Sequence, residues 1–199
     1  MNNLQRPDRP WMAQLAKHFS SSFSGKVNFL LGTSGQWKAA LWFQQGLAVS
    51  FDYHQQQGLA ALFNFIYDFG ELLNNPSVTP SAHGRWVAEP ELFTGIPCWA
   101  WPWATFVERW EEQEKKAWAL AQKAPRPEYL LRLTSPVTIG EMPLSPMAQE
   151  IIQALQTTPQ VQDLYALDKW AAGDLTGQLV DLKKRGLLKA FVAAATSSC

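Results

Sequence analysis

The chain has few cysteines, few histidines and no excess of charge of either sign, and each shortage excludes a class of protein. Only Cys98 and Cys199 are present among 199 residues, so a disulfide framework is not expected and a reducing cytoplasm is the natural compartment. Lys plus Arg and Asp plus Glu both number 17, which is a poor starting point for nucleic-acid binding. No run of apolar residues approaches the roughly 20 needed to span a membrane, and the N-terminus has no signal-peptide run. We therefore expect a cytoplasmic protein without a membrane span.

Groups able to catalyse a reaction or to hold a metal are also scarce. His18, His54 and His83 lie far apart in sequence, and none has a partner at metal-ligand spacing. His54 follows Asp52 at the end of a predicted strand and is interpreted as an ordinary surface histidine. Cys98, within the bulky stretch IPCWAW, is predicted to be a buried, inert thiol. With no nucleophile elbow, phosphate-binding loop or dinucleotide fingerprint, the sequence predicts no catalytic residue, cofactor or metal, and hence no enzyme.

Tryptophan, by contrast, is abundant, with ten residues. Trp99, Trp101 and Trp103 alternate, so an extended segment would place all three indoles on one face. At roughly 25 cal/mol per Å2 of apolar surface, leaving each indole in water costs a few kcal/mol. We predict that the other domain covers these indoles. The alternatives are a partner protein or a second copy of the chain, and a carbohydrate. These three residues and Trp42 are the candidate partner-binding residues.

The first part of the chain, residues 1–124, is predicted to be an α+β domain. Residues 1–10 are interpreted as a loose arm, followed by a helix over Met12–Phe23. Three antiparallel strands then follow, with turns at GTSG and Gln-Gln-Gly: KVNFLLG, WKAALWF and LAVSFDY. In the third strand, alternation predicts that Leu47, Val49 and Phe51 share one face, and the edge of this hairpin is predicted to be open to a partner.

Helices are predicted to cover that small sheet. The run Gly58–Leu73 predicts a helix whose inward stripe comprises Leu59, Leu62, Phe63, Ile66 and Phe69, with Asn64 and Asp68 opposite. Residues 74–97 are rich in Pro, Ser, Asn and Gly and predict a long loop containing one or two short strands, WVAEP and ELFTG. A long helix from Pro102 to about Lys123 connects this domain to the linker APRP.

A second domain, residues 128–195, is predicted to be winged-helix-like. After a possible strand in YLLRLTSPVTIG, three short helices begin at Ser145, at Thr158 and at Asp174, the last closed by Gly186. A short terminal strand follows. Three short helices and a terminal strand are typical of a winged helix-turn-helix.

The stretch GKVNFLLGTSGQWKAALWFQQGLAVSFDYHQQQGLAALFNFI resembles the PatA amino-terminal-type domain of bacteria, a domain of unknown function. The residues that carry the resemblance are turn glycines, an aromatic pair before the hairpin and the start of a helix: Gly25, Trp42, Phe43, Gly46, Val49, Gly58 and Ala61. The chain departs from that family after the helix, where FGELLNN and a long tryptophan-rich insertion replace a compact Gly-x-Phe-x-Phe strand. The C-terminal part is similar to winged-helix modules that accompany the family, and VDLKKRGLL resembles the C-terminal end of these modules.

The resemblance implies a regulatory or scaffolding protein of bacterial signalling, development or surface motility, acting with response regulators or small GTPases, and it brings no catalytic residues. We therefore expect a non-catalytic adaptor, with a homodimer as a further possibility. The alternative is a transcriptional regulator that binds DNA through the winged helix. Its candidate recognition helix carries Asp174 and Asp181 and a single amide, Gln178. Lys183 and its neighbours lie at the far end of that helix, where the helix dipole stabilises positive charge. DNA is thus the less favoured partner.

Overall fold

The computed structural model describes residues 9–32, 35–74, 84–134 and 143–192. The chain divides into two compact units, Met1–Ala117 and Trp118–Cys199, whereas the sequence prediction placed the domains at 1–124 and 128–195. Within the described ranges, no helix is long and apolar enough to cross a membrane.

The first unit combines three helices with a five-stranded antiparallel sheet. Its elements in chain order are α1 Pro10–Ser20, β1 Gly25–Leu31, β2 Gln36–Gln44, β3 Leu47–Tyr53, β4 Gln56–Gln57, α2 Gly58–Asn74, β5 Arg85–Glu89 and α3 Trp103–Ala121. The strand order is β4-β3-β2-β1-β5, so the predicted meander forms the centre of the sheet. This confirms the α+β class. The predicted strand WVAEP corresponds to β5, whereas ELFTG forms no strand, and the centre of the predicted GTSG turn lies outside the described residues.

The turn between β2 and β3 is the predicted glycine hairpin. Gln45 and Gly46 both have positive φ, 51° and 77°, as the primed hairpin turns require. A Cβ at Gly46 would lie 2.9 Å from the carbonyl oxygen of Phe19 at the end of α1. Glycine is therefore needed here both for the backbone conformation and for the close approach of the helix.

A β-bulge shifts the predicted face of β3. Trp42 pairs with Ser50 while Phe43 pairs with Ala48, so Val49 is an extra residue in the ladder. The core contains Ala48 together with Phe51. The prediction that Val49 shares a face with Phe51 is therefore wrong, because simple alternation ends where an extra residue enters a strand.

The core of this unit is one layer between the sheet and its three helices. The fully buried aromatic side chains are Phe29, Phe43, Phe51, Phe65, Phe106 and Trp110. Arg9, which immediately precedes α1, donates two 2.9 Å hydrogen bonds to Glu114 on α3, and the Trp110 indole N–H donates to the same carboxylate. These bonds join the start of α1 to the middle of α3. The helix thus includes Pro10, which had been assigned to a loose arm; residues 1–8 lie outside the described part.

The inward stripe of α2 differs from the prediction. Ala61, Leu62, Phe65 and Ile66 are buried, whereas Leu59 is 42% exposed. Asn64, predicted to face solvent, is fully buried, and its amide donates to Gln56. The helix is apolar on nearly all sides, so periodicity alone did not select the face that meets the sheet.

The described residues of the second unit form three helices and a two-stranded sheet. Its elements are β6 Tyr129–Leu133, α4 Pro146–Leu155, α5 Val161–Ala166, α6 Ala172–Lys184 and β7 Leu188–Val192, with β6 and β7 antiparallel. Its fully buried hydrophobic side chains are aliphatic and include Ile151, Leu164, Leu175 and Leu182, and the polar Thr176 is buried with them.

Two of the predicted helix boundaries in this unit depend on capping. Ser145 caps α4 as predicted, because its hydroxyl accepts the N–H of Ala148 at 3.1 Å. Asp174 is not a cap: α6 begins two residues earlier, after Ala171, and Asp174 lies in its first turn, where a carboxylate favours the helix dipole. Gly186, with φ of 74°, follows the helix end as predicted.

Candidate functional site

The candidate site is the segment of residues 90–101, which includes two of the predicted partner-binding tryptophans. Its C-terminal end is held by backbone hydrogen bonds to β3. Ala48 and Trp101 exchange two N–H to carbonyl bonds, of 2.9 and 2.8 Å, and the Val49 carbonyl accepts the N–H groups of both Cys98 and Trp99. The bulge at Val49 thus supplies the acceptor that anchors the segment.

This pairing covers the outer edge of β3, which was predicted from the sequence to be open. The outer edge of β3 is occupied by Trp101 at its beginning and by β4 at its end, where Gln57 and Gln56 pair with Asp52 and Tyr53. The prediction that the edge of the hairpin is available to a partner is therefore wrong. The chain itself supplies the strand that covers it.

Trp99 and Trp101 form a stacked pair, with ring centroids 3.9 Å apart and planes inclined by 4°. Both are partly buried and pack against the core of the first unit. Gly58, with φ of 74°, lets the segment approach, because a Cβ there would lie 3.2 Å from the Cys98 sulfur and 3.5 Å from the Trp99 ring. The predicted shared face thus holds for these two indoles.

Trp103 and Trp42 do not join that pair. Trp103 begins α3 and packs edge-on against Phe19, with centroids 5.1 Å apart. Trp42 lies on the opposite face of the sheet from the helices, where its indole N–H donates to Asp52 at 2.6 Å. Phe93, from the 90–101 segment, packs against the Trp42 ring at 5.4 Å.

An ion-pair cluster holds the beginning of the 90–101 segment beside the Trp42 ring. The Lys26 ammonium lies 2.5 Å from Glu91 and 3.4 Å from Glu89, and 5.7 Å from the centroid of Trp42. The hydrogen bond to Glu91 is the main reason that the pKa of Lys26 is raised above its ordinary value.

The middle of the segment faces solvent. Leu92 is 80% and Ile96 is 90% exposed, although both belong to a segment whose ends are bonded to the sheet. Cys98 is also exposed, with its sulfur 3.6 Å from the Ser50 hydroxyl. The prediction of a buried thiol is therefore wrong: Trp99 and Trp101 pack against the core, while Cys98 stays at the surface.

The histidines singled out in the sequence do not come together in a site. His18 is half-buried between Phe23 and Phe43, and burial, with a smaller contribution from Lys17, lowers its pKa. His54 lies in the turn after β3, against Tyr53, while His83 and Cys199 lie outside the described residues. Among the residues that the structure describes, no three His, Cys, Asp or Glu side chains form a group able to hold a metal.

No protein family, no curated protein and no solved structure matches this chain.

Proposed function

We propose that the chain is a non-catalytic adaptor that binds another protein through the 90–101 segment. The observation that carries the proposal is the exposure of Leu92 and Ile96 in a segment that is held at both ends, by the Glu91–Lys26 ion pair and by backbone bonds from Cys98, Trp99 and Trp101 to β3. Apolar side chains presented in a fixed conformation lose little further entropy when a partner covers them. The segment therefore has the properties of a preformed docking site.

The resemblance to the PatA amino-terminal-type domain gives the proposal a biological setting. On that basis the adaptor acts in the bacterial cytoplasm, in signalling, development or surface motility, and its partner belongs to a response-regulator or small-GTPase system. The exposed apolar residues replace Trp99 and Trp101 as the contact residues, because the stacked indoles already pack against the core of their own unit. Trp103 and Trp42 then have a supporting role.

The fold of the second unit is consistent with the winged-helix-like module in this proposal. Three helices lie between two strands that pair with each other, which agrees with the three short helices and the terminal strand expected of that module.

The proposal is tested by affinity capture from the native cell with wild-type protein and single-residue variants. Ile96→Asp and Leu92→Asp place a charge at the exposed segment, whereas Leu167→Asp places one on a 48% exposed leucine of the second unit. A specific partner should be lost with the first two variants and kept with Leu167→Asp. Recovery of the same proteins by all four forms would exclude the segment as the docking site.

DNA binding is the second candidate function, favoured by the exposed cations Lys183, Lys184 and Lys189 of the second unit. Binding to duplex DNA should then fall steeply as salt is raised. Absence of binding at low salt removes this candidate.

A further inference from the structure

We propose that the outer edge of β7 binds an extended acidic segment of a partner protein as a third strand of the β6–β7 sheet. The inference rests on the proposed adaptor role and adds to it a second contact surface and the chemistry of what it binds. Strand addition of this kind uses backbone hydrogen bonds for affinity and alternating side chains for specificity.

The hydrogen-bond pattern shows which backbone groups of β7 point away from β6. The N–H of Leu131 donates to the carbonyl of Pro159 at 2.7 Å, on the far side of β6 from β7. Leu131 pairs with Ala190, so this is a pair without mutual hydrogen bonds, and the N–H and carbonyl of Ala190 point outward as well. The same alternation directs the groups of Leu188 and Val192 outward.

Only one edge of this small sheet is open within the described residues. The outer edge of β6 is covered by the chain itself, through the bridge between Leu130 and Gln160. For Leu188, Ala190 and Val192, no outward backbone hydrogen bond forms in the described part of the chain. Val192 is also 71% exposed. β7 thus presents a row of backbone donors and acceptors to a further strand.

The charges around this edge select an acidic occupant. Four exposed cations near this edge form no ion pair within the described residues: Lys123 and Lys183, which line the cleft beside it, and the paired residues Arg132 and Lys189. The neighbouring acids are already engaged, since Asp181 bonds to Arg185 at 2.7 Å and Glu128 lies 4.0 Å from Arg126. Acidic side chains on the added strand would therefore meet cations that no neighbouring carboxylate already binds.

The two faces of β7 favour different side chains on the added strand. On one face, Lys189 is accompanied by Arg132, whose guanidinium lies 5.4 Å from the ring of Phe191. The other face adjoins a narrow cleft with apolar walls that include Leu131, Leu179, Leu188 and Ala190. Because successive residues of a strand point to opposite faces, the fitting sequence alternates acidic with apolar residues.

A second copy of the chain fits this edge less well than an acidic strand. Pairing β7 with its own copy would bring Lys189 and Arg132 of both copies to one face, where like charges repel. Duplex DNA could use the cations but would leave the apolar cleft and the outward backbone groups of β7 without partners.

The test measures binding of a fluorescent synthetic peptide, in which glutamate alternates with valine, to the full chain. A peptide N-methylated at alternate residues keeps the charges but loses the backbone donors that face β7, and should bind at least about tenfold more weakly. Lys189→Glu should weaken binding of the unmodified peptide about tenfold. Lys184→Glu makes the same change of charge at the end of α6 and should weaken it less than about threefold. Amide exchange should slow at Ala190 when the peptide is bound.

Several results would overturn the inference. Equal binding of the methylated peptide, or equal losses in the two lysine variants, would show attraction by charge alone. Slow exchange at Ala190 in a concentration-dependent dimer without peptide would assign the edge to a second copy, and displacement of the peptide by duplex DNA would assign the cations to nucleic acid. Because the peptide is synthetic, its failure to bind refutes only the β7 site, whereas the adaptor role depends on capture through the 90–101 segment.

Discussion

The two units build their cores from different side chains. In the first unit, the fully buried residues of largest volume are phenylalanines and a tryptophan, and many of their rings are in edge-on or tilted contact, as Phe29 and Phe65 are with centroids 5.0 Å apart. In the second unit the buried cluster contains only Leu, Ile, Val and Ala. Aromatic rings fill a large space with few residues but constrain the angles between neighbours, whereas aliphatic side chains fill a small core between short helices. We expect the two cores to respond differently to truncation.

The largest expected effect is that of Trp110→Ala. Trp110 is fully buried, contacts Trp11 at 4.5 Å between centroids and donates a hydrogen bond to Glu114. Its removal leaves the largest cavity and should lower the free energy of unfolding of the first unit by about 3–5 kcal/mol. Of the ten tryptophans, only Trp118 and Trp170 belong to the second unit. Denaturation followed by tryptophan fluorescence therefore reports mainly on the first unit, and an unchanged midpoint would contradict the aromatic core described above.

A smaller loss is expected from Leu164→Ala in the second unit. Leu164 is fully buried on α5, and truncation should lower the free energy of unfolding by about 2–4 kcal/mol. The change should be seen by far-ultraviolet circular dichroism. The matched control is Leu167→Ala on a 48% exposed leucine at the end of the same helix, which should change stability by less than about 0.5 kcal/mol. Equal effects of the two substitutions would mean that α5 is not packed as described.

Sequence-based prediction also succeeded to different degrees in the two units. In the second unit, the cap at Ser145 and the helix end at Gly186 follow from local signals and were predicted correctly, whereas the helices predicted to start at Thr158 and Asp174 begin at Val161 and Ala172. In the first unit the apolar run around Phe65 allowed two faces of α2, and the bulge at Val49 has no signature in the strand sequence LAVSFDY. The exposure of Cys98 and the pairing of Trp101 with Ala48 depend on contacts about fifty residues apart in sequence, which no local pattern encodes.

Replacing the cap of α4 tests those local signals directly. Ser145→Ala removes the acceptor of the Ala148 N–H and should destabilise the second unit by about 1 kcal/mol. Gln160 occupies the same position in α5 but makes no side-chain capping bond, so Gln160→Ala should have almost no effect on thermal unfolding. A larger loss from Gln160→Ala than from Ser145→Ala would contradict the assignment of the cap.

The smallest expected effect is a dependence on pH from His18. Burial lowers the pKa of His18 below the ordinary value of 6.5, so the unfolded chain binds a proton more readily than the folded one. The stabilising contribution is present above the unfolded pKa and is lost as the pH falls from that value through the lower pKa of the folded state. Between about pH 7.5 and about pH 5, wild type should therefore lose more stability than His18→Gln. Parallel losses in urea titrations of the two proteins would show that His18 does not titrate differently on folding.

The parallel contact of Trp99 with Trp101 has a spectroscopic consequence. Two identical chromophores that lie in nearly parallel planes with ring centroids 3.9 Å apart are coupled electronically, so their shared near-ultraviolet dichroism differs from the sum of two isolated indoles. That signal vanishes if residues 98–101 detach from β3. The chain therefore carries an intrinsic optical reporter that can show, without any added label, whether this part of the molecule moves when a binding partner arrives.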